Sequence, residues 1–292
     1  MSIRVPNPIG VIVDSFGLPV REGLQKAKEV GADGVQIYAV KGEMYPDNLT
    51  AAQRKELKAY IDSLGLQVSA LVGDFGGHGF QVRAENKEKI EKSKRVLDLA
   101  LELGTNIVTT HIGIVPSEKD DVYEAMQEAC EELGQYAKSV DAYFAIETGP
   151  EPAAHLKSFL DTLSTNGVSV NFDPANMIMV TGDDPVQGVY TLKDYIVHTH
   201  VKDGLRHKEF DPRILYGAVG FEPMAHERIA DMLREGELFE ELPLGEGKVD
   251  FDRYFQALQE IGYQGYLTIE REVGDDPAED IRKAVEFIKA YR

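Results

Sequence analysis

The chain has 292 residues, with a hydrophobic fraction of 43%, a charged fraction of 28% and a formal net charge of −19, a balance that reads as soluble and globular, with length enough for a large core. So acidic a chain is a poor match for nucleic acid, whose binding rests on phosphate neutralisation by Lys and Arg, and no apolar run is long enough to cross a membrane. The single cysteine, Cys130, excludes an internal disulfide and a cysteine-cluster metal site, and the opening "MSIRVPNPIG" lacks a signal peptide's apolar core, so a cytoplasmic protein is expected.

In chain order, a β-rich run at 9–16 is followed by a helical pattern at 20–30 that stops at Gly31. A strand at 34–40 comes next. Thr50 and Gln53 form a capping box for a helix at 50–64, with Leu57, Tyr60, Ile61 and Leu64 on one stripe. Gly65, a strand at 67–74, a helix at 84–103, Gly104 and a strand at 106–114 continue the alternation. The helix at 118–139 carries Val122, Met126, Ala129, Leu133 and Val140 along one face. Strands at 142–148, 168–174 and 196–202 are separated by helices at 153–164 and 184–193. A long excursion, 205–248, precedes a helix at 250–261 and a strand at 265–272. Asp276 before Pro277 opens a last helix at 278–291. Gly31, Gly65, Gly104, Gly167 and Gly262 each sit where a helix takes a left-handed closing residue. Eight strand-helix units predict a (β/α)8 TIM barrel, a single domain over 1–292 with 205–248 as an extended loop or lid after the seventh strand. A doubly wound sheet would call for a G-x-G-x-x-G after the first strand, and none is there.

Such barrels do their chemistry at the C-terminal ends of the strands. The fifth strand ends "FAIETGPEP" with Glu147, the sixth "VNFDPAN" with Asp173, the seventh "HTHVKD" with His200, and the eighth "LTIERE" with Glu270. Four consecutive strands therefore deliver carboxylate, carboxylate, imidazole and carboxylate to one mouth. Those charges repel unless a cation joins them, and the donor set suits Mn2+, Mg2+, Co2+ or Zn2+. The alternative is a charge network. In "HTHVKDG" the strand period places His198, His200 and Lys202 on one face.

These segments, together with "AIETG", "NFDPAN" and "PLGEGKVDF", resemble the xylose isomerase-like barrels, which include sugar isomerases and epimerases and the AP endonucleases of the endonuclease IV type. The resemblance is strongest to the D-tagatose 3-epimerase branch. It implies one divalent metal ion, Mn2+ first, held by Glu147, Asp173, His200 and Glu270. It also implies that Glu147 and Glu270 move protons on opposite faces of a bound sugar and that Arg206 contacts substrate. His198 would lie deeper as support, and Lys202 and Asp203 would support the site or pair with each other. Two positions depart from the branch: its histidine three residues after the ligand aspartate is Asn176 here, and its substrate glutamate falls on Ala153, with Glu151 the nearest candidate.

Three further histidine and lysine positions are candidate substrate contacts: His111 in "VTTHIG", His78 in the glycine-rich "GDFGGHGF", and Lys202. His207 and His226 are expected to be exposed, and Cys130 to be inert. The expected function is a metal-dependent sugar isomerase or epimerase working through an enediolate. A lyase or dehydratase on a keto-sugar, keto-inositol or 3-oxo-glycoside is the close alternative, and an endonuclease a distant one that lacks two of its histidines here. The expected partner is a small sugar or sugar derivative, with no nucleic acid and no membrane, and the chain is compatible with a homo-oligomer.

Overall fold

The structure is a computed structural model describing residues 4–221, 225, 227–228, 231 and 236–292. Eight parallel strands close into a barrel: β1 (Ile9–Ile12), β2 (Gly34–Tyr38), β3 (Gln67–Val72), β4 (Ile107–Thr110), β5 (Tyr143–Glu147), β6 (Val168–Phe172), β7 (Ile196–Val201) and β10 (Leu267–Ile269). β10 pairs with both β1 and β7, which completes the ring. Around it run α1 (Val20–Glu29), α2 (Ala51–Ser63), α3 (Arg83–Leu103), α4 (Asp121–Ser139), α5 (Ala153–Leu160), α6 (Pro185–Leu192), α7 (Phe251–Glu260) and α8 (Pro277–Lys289). Their apolar stripes are buried; Ile61, Met126, Leu133, Ile281, Val285 and Ile288 are each fully covered.

Local chemistry sets the ends. Thr50 and Gln53 make the capping box of α2, and Asp276 accepts the Glu279 N–H ahead of Pro277 in α8. α4 starts at Asp121 because Asp120 accepts the N–H groups of Val122 and Tyr123. β1 is shorter than its apolar run. Residues 13–16 turn into a 3-10 segment, and Asp14 takes the Tyr38 N–H at 3.0 Å that a longer ladder would have used. Gly31, Gly65, Gly104 and Gly262 have the left-handed backbone expected of closing residues. Gly167 does not; a Cβ there would lie 2.0 Å from the Gly134 carbonyl oxygen, so the glycine lets strand and helix backbones touch.

After Lys202 the chain leaves the barrel as β8 (Asp203–Arg206), which pairs antiparallel with β9 (Phe239–Leu242). This ribbon is the base of the excursion, whose described part includes a short helical turn at Arg213–Tyr216. His207 is partly exposed beside Glu240, and His226 lies outside the described residues. Among the described residues no helix is long and apolar enough to cross a membrane.

Asp203, which is buried, fastens the ribbon to the segment before α7. Its carboxylate accepts N–H groups from Gly204, Gly245 and Gly247 at 2.9 Å and from Val249 at 3.0 Å. Gly247 has to be glycine for this approach, since a Cβ would lie 2.1 Å from Oδ1. A buried donor stripped of its acceptor costs about 1–3 kcal/mol. Asp203→Ala is therefore expected to lower unfolding free energy by at least ~2 kcal/mol in denaturant titration, and Asp203→Asn to lose part of that.

Candidate metal centre

The C-terminal mouth of the barrel gathers Glu147, Asp173, His200 and Glu270, all buried, with one donor atom from each lying within 4.8 Å of the others. Glu147 is the last residue of β5, His200 lies on β7, and Asp173 and Glu270 directly follow β6 and β10. His200 Nδ1 lies 3.2 Å from Glu270 Oε2, 3.4 Å from Asp173 Oδ2 and 3.6 Å from Glu147 Oε1.

Gln36 on β2 gives its amide hydrogens to Thr109 at 2.9 Å, so its oxygen faces His200 Nε2 at 3.1 Å and accepts from it in the tautomer with the proton there, with the Asn171 amide nitrogen 3.3 Å from the same atom. Nδ1 is then a lone pair aimed at three carboxylates. It is buried without a hydrogen-bond partner, as is Asp173 Oδ2. Asp173 Oδ1 is occupied by the Asn176 N–H at 2.8 Å, which turns Oδ2 inward. Two orphaned acceptors among three buried negative charges fit a cation. Ligand atoms about 2.1 Å from one ion stand roughly 3–3.5 Å apart, close to the spacings around Nδ1. In its absence the cluster favours a proton on His200. Burial opposes that charge, but Glu270 and Glu147 outweigh it and hold the imidazole well above its ordinary range.

A polar layer beneath the mouth fixes these groups. Asn171 on β6 donates to Glu147 Oε2 at 3.0 Å and accepts from His198 Nδ1 at 2.8 Å. His198 Nε2 then accepts from the Thr268 hydroxyl at 3.1 Å. Burial and the adjacent His200 keep His198 neutral, well below its usual range. Asn176 donates to the other Glu147 oxygen at 2.9 Å. On the far side, the buried Lys202 ammonium lies 3.1 Å from Glu270 Oε2, 3.7 Å from Glu241 Oε2 and against Glu272. Glu241, on β9, also accepts from Arg271 at 2.7 Å and from the Glu272 N–H at 3.0 Å. Lys202 and Asp203 thus serve different partners and do not pair with each other.

The remaining candidates are placed as follows. His111 lies at the mouth, Nε2 3.8 Å from Glu147 Oε1. Arg206 gives its guanidinium to the Thr181 and Lys208 carbonyls, at 3.0 and 3.2 Å. His78 is bound to the Phe221 carbonyl at 3.1 Å, tying the glycine-rich loop to the excursion. Glu151 is buried beside Val115. Cys130 is buried, its thiol pushed up to about 12 by burial and Glu131. Sequence reasoning passed over Gln36 and Asn171, although each is a lone amide in an apolar strand. It also passed over Glu241, whose setting in "FEELP" looks like an exposed ribbon, and Tyr216, in a stretch without periodicity.

Residues 24–291 match the family described as xylose isomerase-like TIM barrel. The chain belongs to that family. All four clustered residues fall inside the matched span. Among solved structures, a xylose isomerase domain protein from Planctomyces limnophilus superposes with a TM-score of 0.77 at 26% identity, covering 100% of this chain and 98% of that one. An inosose dehydratase of Lacticaseibacillus casei is 28% identical over 167 residues, 56% of this chain and 51% of the relative, so the chain spans about half the length of that protein. An L-ribulose-5-phosphate 3-epimerase of Escherichia coli is 44% identical over 55 residues, 18% of this chain and 19% of the relative. The family's relatives thus include sugar epimerases and dehydratases.

Within this family barrel Glu151 is an isolated buried acid. Burial, eased only by the Val115 N–H, raises it to about 8 from an ordinary 4.5, and its Oε2 has no partner. The native state therefore holds a proton between those values that the unfolded chain has released, so its contribution to stability falls as pH rises through that window. Glu151→Gln removes the effect. Relative to wild type, the variant is expected to gain on the order of 2–4 kcal/mol between pH 5 and pH 8.5, measured by denaturant titration; parallel profiles would contradict the assignment.

Proposed function

We propose that this protein is a divalent-metal-dependent isomerase or epimerase of a sugar or sugar derivative, moving a proton beside a carbonyl. The observation that carries the reading is the buried cluster, in which two glutamates from β5 and β10 flank an aspartate and an imidazole contributed by the two strands between them. A divalent ion held by Glu147, Asp173, His200 and Glu270, Mn2+ first by donor set, would polarise the carbonyl and neighbouring hydroxyl and acidify the intervening C–H.

The protein's own groups supply the rest. Burial raises both glutamates, but His200 and His111 pull Glu147 below the usual carboxylate range, and Lys202 and His200 do the same for Glu270. Each thus favours its ionised form, which makes it a weak base. Asn171 and Asn176 fix the Glu147 carboxylate, and Lys202 fixes that of Glu270. One glutamate, ionised, removes the proton to give an enediolate. The other, having first taken up a proton from solvent, returns it on the opposite face for epimerisation, or to the neighbouring carbon for isomerisation. Tyr216, in the described part of the excursion, lies beside His111 at the mouth.

A dehydratase shares the first step and then expels a hydroxyl group from the carbon next to the enediolate. It is favoured by the 167-residue match to an inosose dehydratase, against 55 residues for the epimerase. Product analysis after incubation with ketoses and an inosose separates the two.

The purified protein is expected to hold about one divalent ion per chain. Chelation should abolish activity and lower Tm, because binding to the native state alone stabilises it. Elemental analysis without an ion, together with no thermal shift on adding Mn2+, would sink the metal assignment.

Glu147→Gln and Glu270→Gln keep shape and an oxygen ligand but remove the base. Each is expected to retain metal and lose at least ~10²-fold in kcat. Near-normal turnover in either variant, with metal still bound, would rule out two-base transfer and move the dehydratase reading ahead.

A further inference from the structure

Resting on the proton-transfer reading above, we infer that the substrate is an uncharged polyhydroxylated ketone, not a phosphorylated or carboxylated one, and that Tyr216 of the excursion contacts it. The first ground is the charge around the mouth. Glu147, Asp173 and Glu270 bring three negative charges, of which a divalent ion cancels two. Lys202 is enclosed by Glu270, Glu241 and Glu272. Arg271 is taken by Glu241 and Asp280 at 2.7 and 3.0 Å, and Arg206 by two main-chain carbonyls. Each of these three cations is engaged by protein groups and would have to give up a contact to receive a phosphate or carboxylate. Backbone nests are the other common anion device. The glycine-rich loop after β3 is a poor one, because Asp74 places its own carboxylate there and accepts the Gly76 N–H at 2.8 Å.

The second ground is what does face the opening. The Tyr216 ring lies 5.3 Å from the His111 ring, centroid to centroid. Its hydroxyl would be 2.9 Å from a Cβ on Gly149, a residue with φ of 146°, so glycine there makes room for the phenol. The same missing Cβ would be 2.9 Å from Asn176 Cβ, the residue that fixes Glu147. Burial first, then the Glu147 charge, keep Tyr216 protonated well above its ordinary range. Tyr38, at the end of β2, is held up likewise by burial and then Glu270. Two neutral phenols, one near each glutamate, and the His111 imidazole are donors and acceptors suited to sugar hydroxyls.

The test uses the full chain loaded with Mn2+ in D2O, following deuterium uptake beside the carbonyl by NMR. The panel is L-ribulose, L-ribulose 5-phosphate and a keto-inositol. The expected result is exchange of at least one uncharged compound with kcat/KM ~10²-fold or more above the phosphate, since like charges juxtaposed cost several kcal/mol. Exchange of the phosphate equal to or above that of both uncharged compounds overturns the substrate class while leaving proton transfer standing. No exchange with any of the three counts against the proton-transfer reading, and the substrate class falls with it. Tyr216→Phe should raise KM for the exchanging ketone ~3- to 10-fold, the worth of one hydrogen bond, with metal content and Tm unchanged. An unchanged KM removes Tyr216 from the substrate contacts.

Discussion

Three carboxylates cannot share a buried pocket with the lone pair of a neutral imidazole unless something positive joins them. That constraint organises the upper half of the barrel. The Gln36 oxygen faces the His200 nitrogen that points away from the pocket, and Asp173 is turned inward because its other oxygen caps the turn after β6. These arrangements hold the acceptors in place at the expense of their own solvation. A cation bound there would recover that energy, so under the proposed reading metal binding and stability of this end of the barrel are linked.

Around that centre the protein sorts charge by direction. Neutral amides and a neutral histidine lie below, on the barrel axis, where burying another charge would be most costly. Charged support sits to one side, where Lys202, Glu241, Arg271, Glu272 and Asp280 compensate one another. Glu147 and Glu270 therefore differ in kind. The first is held by two amides, and the second by an ammonium that stabilises its ionised form. Under the proposed mechanism, two carboxylates with unlike supports would differ in basicity, which would favour a direction of transfer between them.

The barrel was legible in the sequence because each strand-helix unit carries its own punctuation, as at Thr50, Asp276 and Gly104. The four clustered residues were legible because strand ends recur at predictable places, and a charge there is conspicuous against an apolar run. Gly167 was misread, since a glycine needed for backbone contact looks the same in sequence as one needed for a left-handed turn. Asn171 and Gln36 escaped because an amide in a strand carries no sign of its partner across the barrel. Glu241 escaped because its partners lie some 30–40 residues away along the chain, brought close only by the ribbon. The Arg206 contacts depend on where the turn before Gly182 places the Thr181 carbonyl, which no local pattern encodes.

The ribbon of β8 and β9 also has an evolutionary consequence. Its two strands leave the barrel and return toward the next helix side by side, stapled at their foot by Asp203. The chain between Arg206 and Phe239 starts and ends at that closed base, and its described part is held at Phe221 by His78. The entropy of closing a loop grows only slowly with length, so segments can be lengthened, shortened or exchanged there without moving a ligand atom. The fold thus separates a part that must be inherited intact from a part free to diversify, and new specificities can arise by rewriting the second alone.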